Sequence, residues 1–122
     1  MKPIFFFFKQ RIKSLEYALS GIKLLISTED NMKLHVLLVI IMSFLGIYFE
    51  LSATEWLIQI LTVAGVLSLE AINTTIEKLA DFIHPEYHEK IKIIKNLAAG
   101  AVLIYALASL AVGIVIYFPK II

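Results

Sequence analysis

Hydrophobic positions along this chain recur first with the spacing of an amphipathic helix and then as three longer apolar stretches. Over residues 8–27, Ile12, Leu15, Leu19, Ile22 and Ile26 follow one another at helical steps, while Lys9, Lys13, Glu16, Ser20 and Lys23 fall elsewhere. That pattern predicts a helix lying at a membrane surface. Thr28 to Lys33 is polar, with Thr28 as the expected cap and Glu29 and Asp30 suited to a helix start. Three spans are expected, at about 34–49, 56–79 and 97–118. Between them lie a turn from Glu50 to Glu55 and an interfacial loop from His84 to Lys95, in which Pro85 breaks the helix. Trp56 reads as an interfacial anchor. Ala98, Ala99, Gly100 and Ala101 form a small-residue cluster that permits close helix packing.

Composition turns these stretches into a class. Sixty percent of the 122 residues are hydrophobic, and a mean hydropathy of +0.88 is too high for a soluble domain of this size. The expectation is a single integral-membrane domain over residues 1–122, all-α, with a surface helix and three transmembrane helices. The chain has no cysteine, which excludes disulfides and thiolate chemistry, and its net charge of +1 argues against a nucleic-acid partner. Phe5 to Phe8 are far too few for a signal-peptide core, and Lys9, Arg11 and Lys13 follow at once. Lys2, Lys9, Arg11, Lys13, Lys23 and Lys33 precede the first span, Lys78, Lys90, Lys92 and Lys95 surround the second connection, and the connection at 50–55 has no basic residue. The N-terminus and the second connection are therefore expected on the cytoplasmic side.

One segment carries chemistry. In LSLEAINTTIEKLAD, Glu70, Asn73, Glu77 and Asp81 fall within a stripe roughly 80° wide at ~100° per residue. With a rise of ~1.5 Å per residue from Trp56, the stripe climbs from inside a ~30 Å hydrocarbon core to its surface. A carboxylate that begins inside an apolar span must be paired, protonated or bound to a cation. Taken alone, Glu70 and Asn73 equally suit an interhelical hydrogen bond that specifies an oligomer. Glu77 and Asp81 equally suit a solvated helix face, and the lysines suit anionic lipid. Tyr17 and Tyr87 suit interfacial anchors, and His84 and His88 read as exposed loop residues rather than a zinc pair. No G-x-x-x-x-G-K-[ST] loop exists in the chain, so any kinase chemistry here is not of the P-loop kind.

The pattern E-x-x-N-x-x-x-E-x-x-x-D, then P-E-Y-H-E, then K-x-x-A-x-G-A-V-L resembles the small prokaryotic integral-membrane diacylglycerol kinase family, which includes undecaprenol kinases. The resemblance implies transfer of the γ-phosphoryl of ATP to a lipid alcohol, with Mg²⁺, in a homotrimer with shared active sites in a bacterial inner membrane. It makes Glu70 the general base, gives Glu77 and Glu29 to the metal, and assigns Asn73 to phosphate or acceptor. Lys95 would bind the β- and γ-phosphates, Asp81, Glu86 and His88 would lie towards the nucleoside, and Tyr17 and Arg11 would be weaker nucleotide contacts. Where the family has Lys-Asp before the third span, this chain has Lys95-Asn96. The lost carboxylate predicts slower turnover and a rise in rate on Asn96→Asp. It also keeps open an impaired relative or a non-catalytic helix bundle.

Overall fold

In a computed structural model, residues 3–122 of the chain are described, and all regular structure among them is helical. Four helices follow one another, α1 (Ile4–Thr28), α2 (Asp30–Tyr48), α3 (Ala53–Ile83) and α4 (Glu89–Ile121). Contacts divide the chain into two units, Met1–Val36 and Leu37–Ile122.

In the first unit, α1 starts directly after Pro3, whose carbonyl accepts from the amides of Phe6 (2.9 Å) and Phe7 (3.3 Å). The helix therefore takes in the whole phenylalanine run, four residues earlier than the amphipathic spacing marks. It ends at Thr28, and Glu29 is the single extended residue before α2 (φ −105°, ψ 117°). The Glu29 amide still reaches the Leu25 carbonyl (3.0 Å), while its own carbonyl accepts from Lys33 (3.1 Å). Thr28 is consequently not the cap expected of it. Its hydroxyl bonds backwards to the Leu24 carbonyl (2.7 Å), because the residue lies inside the last turn of α1.

In the second unit the helix ends are built from local chemistry. At the end of α2, the Leu51 amide donates to the Gly46 carbonyl (3.1 Å) and the Glu50 amide to that of Ile47 (3.2 Å). This paired closure requires a left-handed residue, here Glu50 at φ 53°. Ser52 then caps α3. Its hydroxyl accepts from the Glu55 amide (3.2 Å), and the Glu55 carboxylate accepts from the Ser52 amide (3.0 Å). Beyond Ile83, Pro85 prevents continuation. α4 begins at Glu89, so Lys90, Lys92 and Lys95 are helical rather than part of a loop. His88 sets that start by accepting the Lys90 amide on Nδ1 (3.0 Å), and residues 89–95 contain neither proline nor glycine.

The helices α3 and α4 run antiparallel as a long hairpin. Tyr105 of α4 lies over Gly65 of α3, where a Cβ would run into its ring, and its hydroxyl donates to the Leu61 carbonyl (3.3 Å). Trp56 packs in the same way on Gly46 of α2. At Gly100, by contrast, a Cβ would meet nothing within 4 Å. Gly46 and Gly65 make the close approaches because each faces a large aromatic ring.

Burial is inverted relative to a water-soluble protein. Gln59, Glu70, Asn73 and Thr74 are buried, whereas leucines, isoleucines and phenylalanines along α2, α3 and α4 are widely exposed. Helices α2, α3 and α4 are each long and apolar enough to cross a membrane. Polar groups inside and hydrocarbon outside suit lipid as the surrounding solvent. This is a multi-pass membrane protein, all-helical with three spans.

Candidate active site

Helix α3 presents the polar stripe, and burial falls along it towards the Ile83 end. Glu70, Asn73 and Thr74 retain 5%, 8% and 5% of their exposure, while Glu77 and Asp81 are exposed. One turn apart, the Asn73 Nδ2 donates to Glu77 Oε1 at 3.4 Å. The carbonyl oxygen of the same amide, Oδ1, is buried without a hydrogen-bond partner, alone in this among the described side chains. An orphaned buried acceptor costs about 1–3 kcal/mol. Such an oxygen is suited to a group the chain itself does not supply.

The oxygens of the stripe are of a type that hard cations and their water or phosphate ligands accept as neighbours. Asn73 Oδ1 and the Glu77 carboxylate are hard oxygens on adjacent turns of one helix, the ligand type that magnesium takes. Among the described residues no three His, Asp or Glu side chains converge into a cage. Magnesium uses one or two carboxylates and completes its shell with water and substrate phosphates, so a sparse protein contribution is in keeping with it. Glu29, the other carboxylate expected at the metal, is half-buried at the junction of α1 and α2.

Helix α4 adds a cation. Lys95 Nζ lies 2.5 Å from Asp81 Oδ1, a direct ion pair between the two arms of the hairpin. Asn96, next in sequence, belongs to another face of α4, where it lines a shallow apolar groove with Ile93, Leu97, Gly100, Ala101 and Ile104. Successive residues of a helix diverge by ~100°, which separates the two side chains. The carboxylate beside Lys95 thus comes from α3 and not from the neighbouring position in sequence.

The loop residues have local roles as well. The ring of His84 lies 5.3 Å from that of His88, edge to face, although sequence spacing alone gave no reason to bring them together. His84 Nδ1 lies 2.8 Å from the Glu86 carbonyl oxygen, whereas His88 Nδ1 accepts the Lys90 amide. The Glu86 side chain is exposed. In the first unit, Tyr17 and Arg11 are exposed, and the Arg11 guanidinium lies 5.3 Å from the centre of the Phe7 ring.

Sequence reasoning missed a second polar cluster at the other end of the hairpin. Gln59 of α3 donates to the Met42 carbonyl of α2 (3.0 Å) and accepts from the Tyr117 hydroxyl of α4. Nearby, Lys120 pairs with Glu55 at 3.2 Å. The signal was present: a glutamine inside an apolar span demands partners as surely as a glutamate does.

Residues 16–117, from the middle of α1 almost to the end of α4, match the family described as prokaryotic diacylglycerol kinase. The chain belongs to that family. It is 38% identical over 108 residues to an undecaprenol kinase of Bacillus subtilis, covering 88% of each chain. It is 33% identical over 107 residues to a diacylglycerol kinase of Synechocystis, covering 87% of this chain and 61% of that one. A diacylglycerol kinase of Helicobacter pylori is 33% identical over 97 residues, covering 80% of this chain and 76% of the other. In this member of the prokaryotic diacylglycerol kinase family, the matched stretch takes in Glu29, the whole stripe on α3, and Lys95.

Proposed function

We propose that this chain phosphorylates a membrane lipid alcohol, undecaprenol or diacylglycerol, by direct transfer of the γ-phosphoryl of ATP. The observation that carries the reading is the buried Glu70 at the head of a stripe whose amide Asn73 holds an unsatisfied oxygen, in a chain of lipid-kinase ancestry. Glu70 accepts the proton of the lipid hydroxyl, the task of a carboxylate held within hydrogen-bond reach of an attacking oxygen. Asn73 orients the reacting phosphate or the acceptor oxygen. Glu77 and Glu29 are the carboxylates that hold the magnesium, which when bound offsets the charge of the nucleotide phosphates. Lys95 meets the β- and γ-phosphates, with Asp81 fixing its ammonium beforehand. Glu86 and His88 lie towards the nucleoside, and Tyr17 and Arg11 are outer contacts. Alignment of donor and acceptor accounts for the rate, since phosphoryl transfer needs no covalent intermediate on the protein.

The reading extends to the assembly. One small three-span subunit encloses little volume, so the active sites are shared between subunits of a homotrimer, with α1 as an amphipathic surface helix over residues 8–27. The whole of residues 1–122 acts as one membrane kinase domain. The distribution of basic residues supports a bacterial cytoplasmic membrane with the N-terminus and the site facing the cytoplasm, where ATP is available. Among acceptors, the higher identity to the undecaprenol kinase than to the two diacylglycerol kinases favours undecaprenol. A catalytically impaired relative is the competing reading, favoured by Asn96, but Asp81 already supplies a carboxylate to Lys95.

The deciding assay uses purified protein in mixed micelles with Mg²⁺, labelled ATP and each lipid alcohol in turn. Label is expected in the lipid fraction, most of all with undecaprenol. Label in no lipid alcohol, from protein that remains helical and monodisperse, overturns the proposal.

A further inference from the structure

Residues 4–13 of α1 lie outside the residues matched to the family, and of them only Arg11, an outer nucleotide contact, enters the proposed catalytic reading. At ~100° per residue, Phe5, Phe6, Phe7 and Phe8 point to all four sides of the helix. No orientation of a helix lying flat hides them all. None is buried by the protein: exposure runs from 39% at Phe6 to 76% at Phe5, and Ile4 stands at 74%. A helical segment that is apolar all round requires an apolar surrounding.

A ring of cations follows the ring of phenylalanines. Lys9, Arg11 and Lys13 occupy the next two turns, and no acid occurs between Pro3 and Glu16. From the middle of the phenylalanine run to Arg11 is ~7 Å along the axis. Interfacial helices bury their apolar part ~5–10 Å below the head groups, so the two rings match the spacing between acyl chains and lipid phosphates. Arg11, over the face of Phe7, stands where the layers meet.

We propose that the surface helix α1 tilts its N-terminal end into the membrane as an anchor, with Phe5 to Phe8 in the acyl layer and Lys9 and Lys13 on the phosphates of anionic lipids. The backbone permits this depth. Pro3 has no amide hydrogen, and its carbonyl takes the amides of Phe6 and Phe7, so that these two donors enter the apolar layer already bonded. Anionic lipid is the expected surface because the charge between Pro3 and Glu16 is wholly positive.

The absence of native cysteine allows a direct test in the full chain. Single cysteines at positions 5, 6, 7 and 8, and one at Glu16 as reference, carry a nitroxide in vesicles of phosphatidylcholine with or without phosphatidylglycerol. Collision with oxygen, concentrated in hydrocarbon, is compared with collision with a water-soluble nickel chelate. With phosphatidylglycerol, all four positions are expected to show an oxygen-to-nickel ratio roughly tenfold above that at position 16. The double change Lys9→Gln and Lys13→Gln is expected to lower that ratio towards the value in phosphatidylcholine alone. Nickel access at any of the four positions indicates a flat surface helix and overturns the anchor. Exclusion of both agents indicates cover by protein, such as a second copy, and overturns it too. A ratio indifferent to both phosphatidylglycerol and the lysine changes overturns the assignment to anionic lipid.

Discussion

The ammonium of Lys95 lies 2.5 Å from Asp81 Oδ1, joining the early turns of α4 to the last turns of α3. Both groups are partly exposed, and an ion pair in that setting adds about 0–1 kcal/mol to stability. Its value is therefore positional. It holds a cation at the exposed end of the stripe, where the proposed reaction brings the nucleotide phosphates.

From that geometry, Asp81→Asn is expected to lower lipid-dependent kcat/KM by roughly tenfold while helicity is kept. Asn96→Asp is expected to leave the rate within about twofold, because its carboxylate enters the outer groove on α4. The structure thus favours a different outcome from the sequence expectation of a gain. Steady-state kinetics of the two variants decide between them, and a clear rise with Asn96→Asp restores the view that Lys95 lacks a partner.

Replacing the buried carboxylate separates catalysis from packing. Glu70→Gln keeps shape and hydrogen bonding but removes the proposed base, so kcat is expected to fall by about 10²–10⁴ with nucleotide binding retained. Glu77→Gln is expected to raise the Mg²⁺ concentration needed for half-maximal rate. Full turnover in either variant removes its assigned role, and a dissociated oligomer with Glu70→Gln assigns that residue to packing.

The basic-residue distribution makes a topological statement that labelling in intact cells can check. A tag after Ile122 is expected to be extracytoplasmic and a probe at His84 cytoplasmic. A cytoplasmic C-terminus would place the stripe away from ATP.

Two backbone sites predict stability changes of opposite sign. Glu50→Gly relieves a left-handed residue at the α2 terminus and is expected to stabilise by about 1 kcal/mol. Gly65→Ala drives a methyl into the Tyr105 ring and is expected to destabilise by about 1–3 kcal/mol. Denaturant midpoints in detergent micelles measure both.

The proposed sharing of sites between subunits predicts complementation. A chain defective at Glu70 mixed with one defective at Glu29 is expected to recover part of the activity that each lacks. Verified mixed oligomers that remain inactive place each site within a single subunit.

The features legible in the sequence came from rules that act locally. The three spans stood out because long apolar runs tolerate few alternatives, and the stripe stood out because Glu70 and Asn73 are expensive where they lie. Partners across the hairpin were not legible. Nothing in the sequence order links Lys95 to Asp81 or Gln59 to Tyr117, since such pairs depend on the register of α3 against α4. Helix limits erred where polarity was taken for loop, as in residues 89–95, which are charged but contain no helix breaker. Phe5 to Phe8 escaped the amphipathic reading because a run apolar on every side has no preferred face.

The inverted burial of α2, α3 and α4 has a bearing on how this protein can vary. Along the outward faces, one aliphatic side chain is nearly as good as another, because fluid lipid conforms to whatever shape it meets. The few inward polar positions have no such latitude, since each neighbour is a fixed atom with its own bonding demand. A saturation library should therefore read as two alphabets. Exchange among Leu, Ile, Val and Phe should be silent over most of the surface, while Gln59, Glu70, Asn73 and Thr74 each accept almost no other letter.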